Sequence, residues 1–205
     1  MAALVLPRLY AILDARCFPD LNAILAFARE LADGGVTLLQ YRNKTASPKE
    51  ILSHARELRR VFGPEISLIM NDRADLCLAA GFDGVHLGQD DLSPDAARIV
   101  VGRERLIGVS THNADQLRAA GQTWADYLAI GPVFGTTSKA NPDPVVGLDG
   151  VRAARALTRK PLVAIGGITL ETFRSVLDAG ADSVAVISGL LQQPREAAKR
   201  FLAGD

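Results

Sequence analysis

The sequence predicts a single parallel (β/α)₈ barrel of the α/β class, a TIM barrel that spans residues 1–205 as one domain. Short apolar runs alternate with amphipathic helical segments eight times along the 205 residues. Hydrophobic residues make up 48% of the chain but aromatic residues only 5%, and such an aliphatic core suits parallel strands covered on both faces. An open doubly wound sheet is the main alternative. We favour the barrel because eight βα units in so short a chain close naturally on themselves.

The elements follow one another in strict alternation, which predicts a parallel sheet. The strands are predicted at Leu9–Leu13, Thr37–Arg42, Ser67–Asn71, Gly84–Leu87, Leu106–Ser110, Tyr127–Gly131, Leu162–Gly166 and Ser183–Ser188. The helices are predicted at Leu21–Asp33, Pro48–Phe62, Arg73–Ala80, Pro94–Val100, Ala114–Ala120, Leu148–Thr158, Leu170–Ala179 and Pro194–Leu202.

Local signals mark several helix boundaries. Ser47–Glu50 is a capping box with proline at the first helical position, so the second helix is predicted to begin there. Ser93 and Thr169 are similar starts for the fourth and seventh helices. The segments Ala80–Val85 and Ala179–Val184 share one pattern, in which a glycine ends a helix and an aspartate precedes a buried strand. This repetition is typical of βα units.

Composition and charge narrow the function classes. The chain has 23 basic and 23 acidic residues, so neither nucleic acid nor a membrane surface is an expected partner. Cys17 and Cys77 lie far apart and suggest no disulfide framework. The segment Met1–Pro7 is too short and too poor in positive charge for a signal peptide. We expect a cytoplasmic protein that binds small molecules, and a homo-oligomer is compatible with the sequence.

The carboxyl ends of barrel strands form the active site, so polar residues there are the first candidates. At the end of the second strand, Gln40, Arg42 and Lys44 alternate and would share one face if the strand persists to Lys44. Two cations and an amide at the barrel mouth suit an anion, since arginine can grip phosphate oxygens with two parallel hydrogen bonds. For Lys44, ordinary surface charge is an equally good explanation.

Two aspartates follow neighbouring strands. Asp72 comes directly after the third strand and could simply cap the next helix. Asp91 follows the fourth strand, where Ser93 already provides the helix cap. One carboxylate from each strand end could together hold Mg²⁺, which keeps several waters and binds substrate phosphate oxygens. The pair opposite a basic cluster predicts a metal–pyrophosphate site.

The last three strands lead into segments that suit phosphate. The seventh strand leads into Gly166-Gly167, and the eighth leads into Ile187-Ser188-Gly189. Loops at these positions often bind phosphate through backbone N–H groups, although the glycines could also serve only a tight turn. The longest irregular stretch, Phe134–Gly147, contains Gly135–Lys139 with three hydroxyls and a lysine. So long a loop in a short chain is usually functional or mobile.

The histidines indicate no metal centre. His54, His86 and His112 have no zinc-ligand spacing, and no Ser-His-Asp or Cys-His set is evident. We interpret His86, which lies within a predicted strand, as a hydrogen-bonded structural residue.

Seven of these motifs, taken together and in order, resemble the thiamine-phosphate synthase family. They are Gln40–Lys44, Asn71–Arg73, Val85–Leu92, Gly108–His112, Gly131–Lys139, Ile165–Ile168 and Val186–Gly189. The resemblance covers most of the chain and implies a Mg²⁺-dependent transferase. Such an enzyme joins hydroxymethylpyrimidine diphosphate to a thiazole phosphate, giving thiamine phosphate and pyrophosphate through a pyrimidine carbocation. The sixth-strand loop departs from the family pattern at Gly135 and Ser138.

The resemblance also implies a role for each site residue. The pyrimidine diphosphate would be bound by Gln40, Arg42, Lys44, Asn71 and Lys139, the Mg²⁺ by Asp72 and Asp91, the reacting pyrimidine or its leaving group by Ser110, the thiazole by Thr136 and Ser138, and the thiazole phosphate by Gly167, Ile187 and Ser188. Among these, the catalytic contributions would come from Arg42, Ser110 and Lys139.

Three other functions are open at this point. A thiazole tautomerase shares the fold and much of the pattern, and His112 does not separate the two enzymes. The aspartates favour the synthase, because a tautomerase handles no pyrophosphate and has no need of Asp72 and Asp91 as metal ligands. A non-catalytic sensor of phosphate ligands and a sugar-phosphate isomerase are the remaining alternatives, the latter on fold analogy alone.

Overall fold

The computed structural model describes residues 4–136 and 143–203. Within this part of the chain, the strands are β1 (Leu9–Asp14), β2 (Leu38–Arg42), β3 (Ser67–Asn71), β4 (Gly84–Leu87), β5 (Leu106–Thr111), β6 (Tyr127–Ile130), β7 (Leu162–Ile165) and β8 (Ser183–Val186). Each strand pairs in parallel with the next, and β8 pairs with β1 to close the barrel. The predicted α/β class and (β/α)₈ barrel are therefore confirmed.

The helices occupy the intervals between the strands, as predicted. They are α1 (Leu21–Asp33), α2 (Pro48–Val61), α3 (Ala74–Ala80), α4 (Pro94–Val101), α5 (Ala114–Gly121), α6 (Gly147–Leu157), α7 (Phe173–Asp178) and α8 (Pro194–Ala203). Two short 3₁₀ helices, Ala15–Cys17 after β1 and Ser188–Leu190 after β8, were not predicted. Among the described residues, no helix combines the length and the apolar character needed to cross a membrane.

Two of the three predicted helix starts are confirmed. The Ser47 hydroxyl accepts a hydrogen bond from the backbone N–H of Glu50, and Ser93 caps α4 in the same way. The start predicted at Thr169 is wrong, because α7 begins at Phe173. Thr169 instead forms a turn with Thr172, in which the backbone N–H of Thr169 donates to the Thr172 hydroxyl at 3.0 Å.

The apolar core forms two layers, because successive side chains of a strand point to opposite faces. The larger layer lies between barrel and helices and contains Leu9, Ala11 and Leu13 of β1. The smaller layer fills the barrel interior and contains Tyr10 and Ile12. By this alternation Asp14, the last residue of β1, belongs to the interior face at the carboxyl end of the barrel.

The amino end of the barrel is held by a repeated ion pair. Asp126, just before β6, accepts from the backbone N–H of Ile107 at 2.7 Å and from Arg98 Nη2 at 2.6 Å. Equivalent contacts join Asp83 to Leu68 and Arg59, and Asp182 to Leu162 and Arg155. We call Arg59–Asp83, Arg98–Asp126 and Arg155–Asp182 the amino-end ion pairs. They explain the shared sequence pattern around Asp83 and Asp182, since each aspartate ties its strand to the preceding strand and helix.

Candidate active site

A buried carboxylate orients two arginines at the end of β1. Asp14 is 2% exposed and accepts hydrogen bonds from Arg42 Nη1 and from Arg16 Nη2, the latter at 2.9 Å. Burial alone would raise the pKa of Asp14, but the two guanidinium groups outweigh it and hold the pKa below its usual value. The carboxylate therefore stays ionised and fixes Arg42 at the barrel mouth.

The sequence reasoning missed Asp14 and Arg16. The predicted first strand ended at Leu13, whereas the strand continues through Asp14. An Asp-x-Arg pattern at the carboxyl end of a barrel strand was the available signal. Its neighbour Arg42 comes from the next strand, so the contact itself depends on the register of β1 and β2.

The polar residues of β2 reach three different partners. Gln40 is buried and donates from Nε2 to the Tyr10 hydroxyl at 2.8 Å. Arg42 contacts Asp14, and Lys44 Nζ lies 3.1 Å from Asp72 Oδ2. The strand ends at Arg42, so Lys44 extends from the following loop with half of its side chain exposed. Gln40 and Arg42 thus contact residues of β1, and Lys44 contacts the residue that follows β3.

Asp72 has an unusual backbone conformation. Its φ of 63° lies in the left-handed region, which a residue other than glycine adopts at a cost in energy. Its backbone N–H donates to the carbonyl of His86 on β4 at 2.8 Å, which holds the turn in place. The residue that caps α3 is Arg73, and no side chain bonds to the helix end. Helix capping therefore does not explain why an aspartate occupies position 72.

Asp72 and Asp91 lie close enough for their charges to interact. Burial raises the pKa of Asp72, the charge of Asp91 raises it further, and Lys44 acts in the opposite direction. Asp91 Oδ2 accepts from the backbone N–H of Gly88 at 2.7 Å, which closes the loop after β4. The described residues contain no group of three or more His, Cys, Asp or Glu side chains able to hold a metal. A cation here would thus have two carboxylates and would take its other ligands from water or a bound molecule.

Asn71, which ends β3 and precedes Asp72 in the chain, has a buried side-chain donor. Its Nδ2 is buried and has no hydrogen-bond partner among the described residues. A buried amide hydrogen without a partner costs about 1–3 kcal/mol. An anionic ligand at the barrel mouth could supply the missing acceptor.

A chain of polar side chains crosses the barrel interior. Gln40 contacts Tyr10, and the hydroxyls of Tyr10 and Tyr127 lie 2.9 Å apart. His86 Nδ1 is 3.1 Å from the Tyr127 hydroxyl, and His86 Nε2 is 2.9 Å from the Ser110 hydroxyl. Burial lowers the pKa of His86 to about 4, so the imidazole is neutral at pH 7. These contacts agree with the hydrogen-bonded role expected for His86, and they connect it to Ser110.

The phenol ring of Tyr127 needs space that only glycine provides. A Cβ atom at Gly108 on β5 would overlap that ring. Tyr127 was predicted only as the start of a strand. Its inward direction follows from the pairing of β5 with β6, in which Gly108 lies opposite Tyr127.

The loop after β7 packs against the segment after β6. Gly166 and Gly167 have φ values of 103° and 64°, which favour glycine. A Cβ at Gly166 would overlap Pro132, and one at Gly167 would overlap the carbonyl oxygen of Gly135. The two glycines are thus required by the turn and by this packing, and the phosphate role of Gly167 stays a prediction. After β8, Ile187 precedes the 3₁₀ helix that begins at Ser188.

Only the start and end of the loop after β6 are described. Its first residues continue the ladder with β7, since Val133 N–H donates to Ile165 O at 2.9 Å. Thr136 is the last residue described before the gap, and Ser138 and Lys139 lie outside the described residues. Beyond the gap, Asp143 Oδ2 lies 3.5 Å from His112 Nε2.

Comparisons with known proteins agree on one family. The sequence model described as thiamine monophosphate synthase matches residues 9–190. A thiamine-phosphate synthase of Koribacter versatilis is 65% identical over 204 residues, covering 98% of this chain and 97% of that protein. One from Agrobacterium fabrum is 43% identical, covering 90% and 86%. The solved structure of a thiamine phosphate pyrophosphorylase from Pyrococcus furiosus superposes with a TM-score of 0.81 at 34% identity, covering 95% of this chain and 93% of that one.

Proposed function

The chain belongs to the thiamine monophosphate synthase family and is a transferase of thiamine biosynthesis, and from that premise we propose that it condenses hydroxymethylpyrimidine diphosphate with a thiazole phosphate. The products are thiamine phosphate and pyrophosphate. In the first step the bond between the pyrimidine methylene carbon and the diphosphate oxygen breaks, and its electron pair leaves with pyrophosphate. The lone pair of the thiazole nitrogen then forms the new bond to the methylene carbon.

The observation that carries this proposal is the charge arrangement around Asp72. Asp72 and Asp91 interact, Lys44 contacts Asp72, and the Nδ2 of the adjacent residue Asn71 has no hydrogen-bond partner within the described part of the chain. Diphosphate oxygens would satisfy the Asn71 donor, and cationic side chains would balance the charge that grows on the leaving group. Arg42, kept in place by Asp14, is the second such cation.

The donor set fits Mg²⁺. Asp72 and Asp91 would hold the ion, because oxygen ligands suit it and because their mutual repulsion would be relieved by a cation between them. When bound there, Mg²⁺ would neutralise charge on the diphosphate. Lys44, which now contacts Asp72, would be available for a diphosphate oxygen once the carboxylate has another cation.

The remaining substrate contacts follow the family resemblance. Gln40 and Ser110 would bind the pyrimidine end, and Thr136 and Ser138 the thiazole. The thiazole phosphate would rest on Gly167, Ile187 and Ser188. Lys139 would contribute charge from the loop after β6, and a loop closing there would help to exclude water. Holding both substrates close would supply much of the rate, since no protein nucleophile is needed.

The test is a direct assay. Purified protein, both substrates and Mg²⁺ are incubated while pyrophosphate and thiamine phosphate are followed. We expect product that disappears with a chelator and in an Asp72→Asn, Asp91→Asn double variant. Asp75→Asn is the matched control, because Asp75 is an exposed carboxylate that pairs with Arg73 and should leave the rate unchanged.

The thiazole tautomerase is the second candidate, and the same assay separates it. Thiazole isomerisation without pyrophosphate release would replace our proposal. A cytoplasmic location and assembly into a homo-oligomer stay predictions, the latter testable by the mass of the particle in solution.

A further inference from the structure

The hydrogen-bond chain through the barrel interior determines where its protons lie. It runs from Gln40 through Tyr10, Tyr127 and His86 to Ser110, with every donor–acceptor separation between 2.8 and 3.1 Å. Tyr10 and Tyr127 are buried completely, and His86 is 9% exposed. In such a place each hydroxyl and imidazole proton needs an acceptor, since a buried donor without one is costly.

Tyr10 donates its proton to Tyr127. Its oxygen accepts from the Gln40 amide, and its only other hydrogen-bond partner among the described residues is the Tyr127 hydroxyl. If Tyr127 donated to Tyr10, the Tyr10 proton would have no acceptor. Tyr10 therefore donates to Tyr127.

The same reasoning determines where the protons of Tyr127 and His86 lie. The Tyr127 proton needs an acceptor, and the only described atom left within reach is His86 Nδ1. Nδ1 must then carry no hydrogen, so the imidazole proton is on Nε2. Nε2–H faces the Ser110 hydroxyl at 2.9 Å, and Ser110 Oγ is its acceptor.

We propose that this chain makes Ser110 a hydrogen-bond donor toward the ligand, with His86 and Tyr127 as positioning residues that fix its polarity. Because Ser110 accepts from His86, its own proton is not used in that contact and is offered at the carboxyl end of β5. The ligand atom that meets it must be an acceptor, either a ring nitrogen or a diphosphate oxygen. The inference deepens the proposed function and rests on it for the identity of the ligand.

The direction of the hydrogen bonds along this chain can be measured without any ligand. The chain has three histidines, so a His54→Gln, His112→Gln double variant leaves His86 alone in a ¹⁵N-imidazole NMR spectrum. At neutral pH we expect the proton on Nε2. Tyr127→Phe removes the donor to Nδ1, and we expect the tautomer signal to become mixed.

Kinetics supply the second readout. Tyr127→Phe should lower kcat/KM for the pyrimidine diphosphate about tenfold, as is typical for a residue that orients a contacting group. KM for the thiazole phosphate should not change. Tyr41→Phe is the matched control, because Tyr41 makes a 2.9 Å contact with His54 that has no connection to Ser110.

The outcomes separate this inference from the proposed function. Wild-type protein that makes product but shows the His86 proton on Nδ1, or a Tyr127→Phe variant with unchanged kinetics, would overturn the polarity. Wild-type protein that makes no product would overturn the proposed function, while the tautomer in the free protein would still decide whether Ser110 is a donor.

Discussion

The two ends of the barrel use the same residue types in opposite ways. At the amino end, Asp126 has one arginine and one backbone N–H as partners, and the other two amino-end ion pairs repeat this arrangement. At the carboxyl end, Asp72 has a left-handed backbone and lies near a second carboxylate, and the amide of the preceding residue, Asn71, has no partner among the residues that the structure describes. Charges that are paired within the protein stabilise the fold. Strained backbone and neighbouring like charges are typical of sites where a ligand supplies the missing interactions. We therefore expect substitutions at the two ends to separate activity from stability.

Asp72→Asn should give the largest effect, and it should fall on activity. Loss of one metal-binding carboxylate is expected to reduce product formation at least about a hundredfold, the order seen when one charge-stabilising group is removed from an active site. The melting temperature should stay the same or rise, because the variant lacks a charge that burial and Asp91 disfavour. Parallel pyrophosphate-release and thermal-unfolding assays check both points. A variant that was inactive because it was unfolded would break the comparison.

Asp126→Ala should do the reverse. It removes a hydrogen bond to Arg98 and one to the β5 backbone, so the free energy of unfolding should fall by about 2 kcal/mol. kcat/KM should not change well below the melting temperature, since the site lies at the other end of the strands. Urea unfolding measures the first quantity. Arg118→Ala, which breaks only an exposed pair with Asp115, is the control and should have a much smaller effect.

The pH dependence of stability should also differ in sign between individual carboxylates. The folded-state pKa of Asp72 is raised, so wild-type protein should lose stability relative to Asp72→Asn as the pH rises from about 4 through that pKa. Asp75 has a pKa lowered by its hydrogen bond to Arg73, so its contribution should be present at neutral pH and lost as the pH falls. Unfolding curves of the wild type, Asp72→Asn and Asp75→Asn across this pH range measure both. Equal slopes for the two variants would contradict the assignment.

Local signals predicted much of this molecule. Apolar runs located the strands, and Ser47 and Ser93 located two helix starts, because each signal acts within a few residues. Alternation along β2 placed Gln40 and Arg42 on one face of the strand. The sequence alone could not predict what each would contact. Such pairings arise only when the barrel closes.

The contacts that sequence reasoning missed join residues that are distant in the chain. Tyr10 and Tyr127 are 117 positions apart, and Arg42 and Asp14 are 28 apart. The repeated pattern at Asp83 and Asp182 was visible in the sequence. Their arginine partners, however, lie many residues earlier, on the helices that come before the preceding strands. Register and closure, which no local pattern encodes, determine these neighbours.

The smallest expected effect is on the thiol reactivity of the two cysteines, one of which lies at each end of the barrel. Cys17 is exposed just beyond β1 at the carboxyl end, whereas Cys77 is buried and donates to Gly84 O at the start of β4. Burial raises the pKa of Cys77 to about 12, so its thiol should react only when the protein unfolds. Partial burial and the charge of Asp14 raise the pKa of Cys17 more modestly, so it should react in the folded protein but more slowly than free cysteine.

Asp14→Asn should speed the reaction of Cys17 a few-fold at neutral pH and leave Cys77 unreactive, as a timed thiol-reagent assay would show. Reaction of both thiols at one rate would mean that Cys77 becomes accessible without unfolding of the protein, and the stabilising role of the amino-end ion pairs would have to be abandoned.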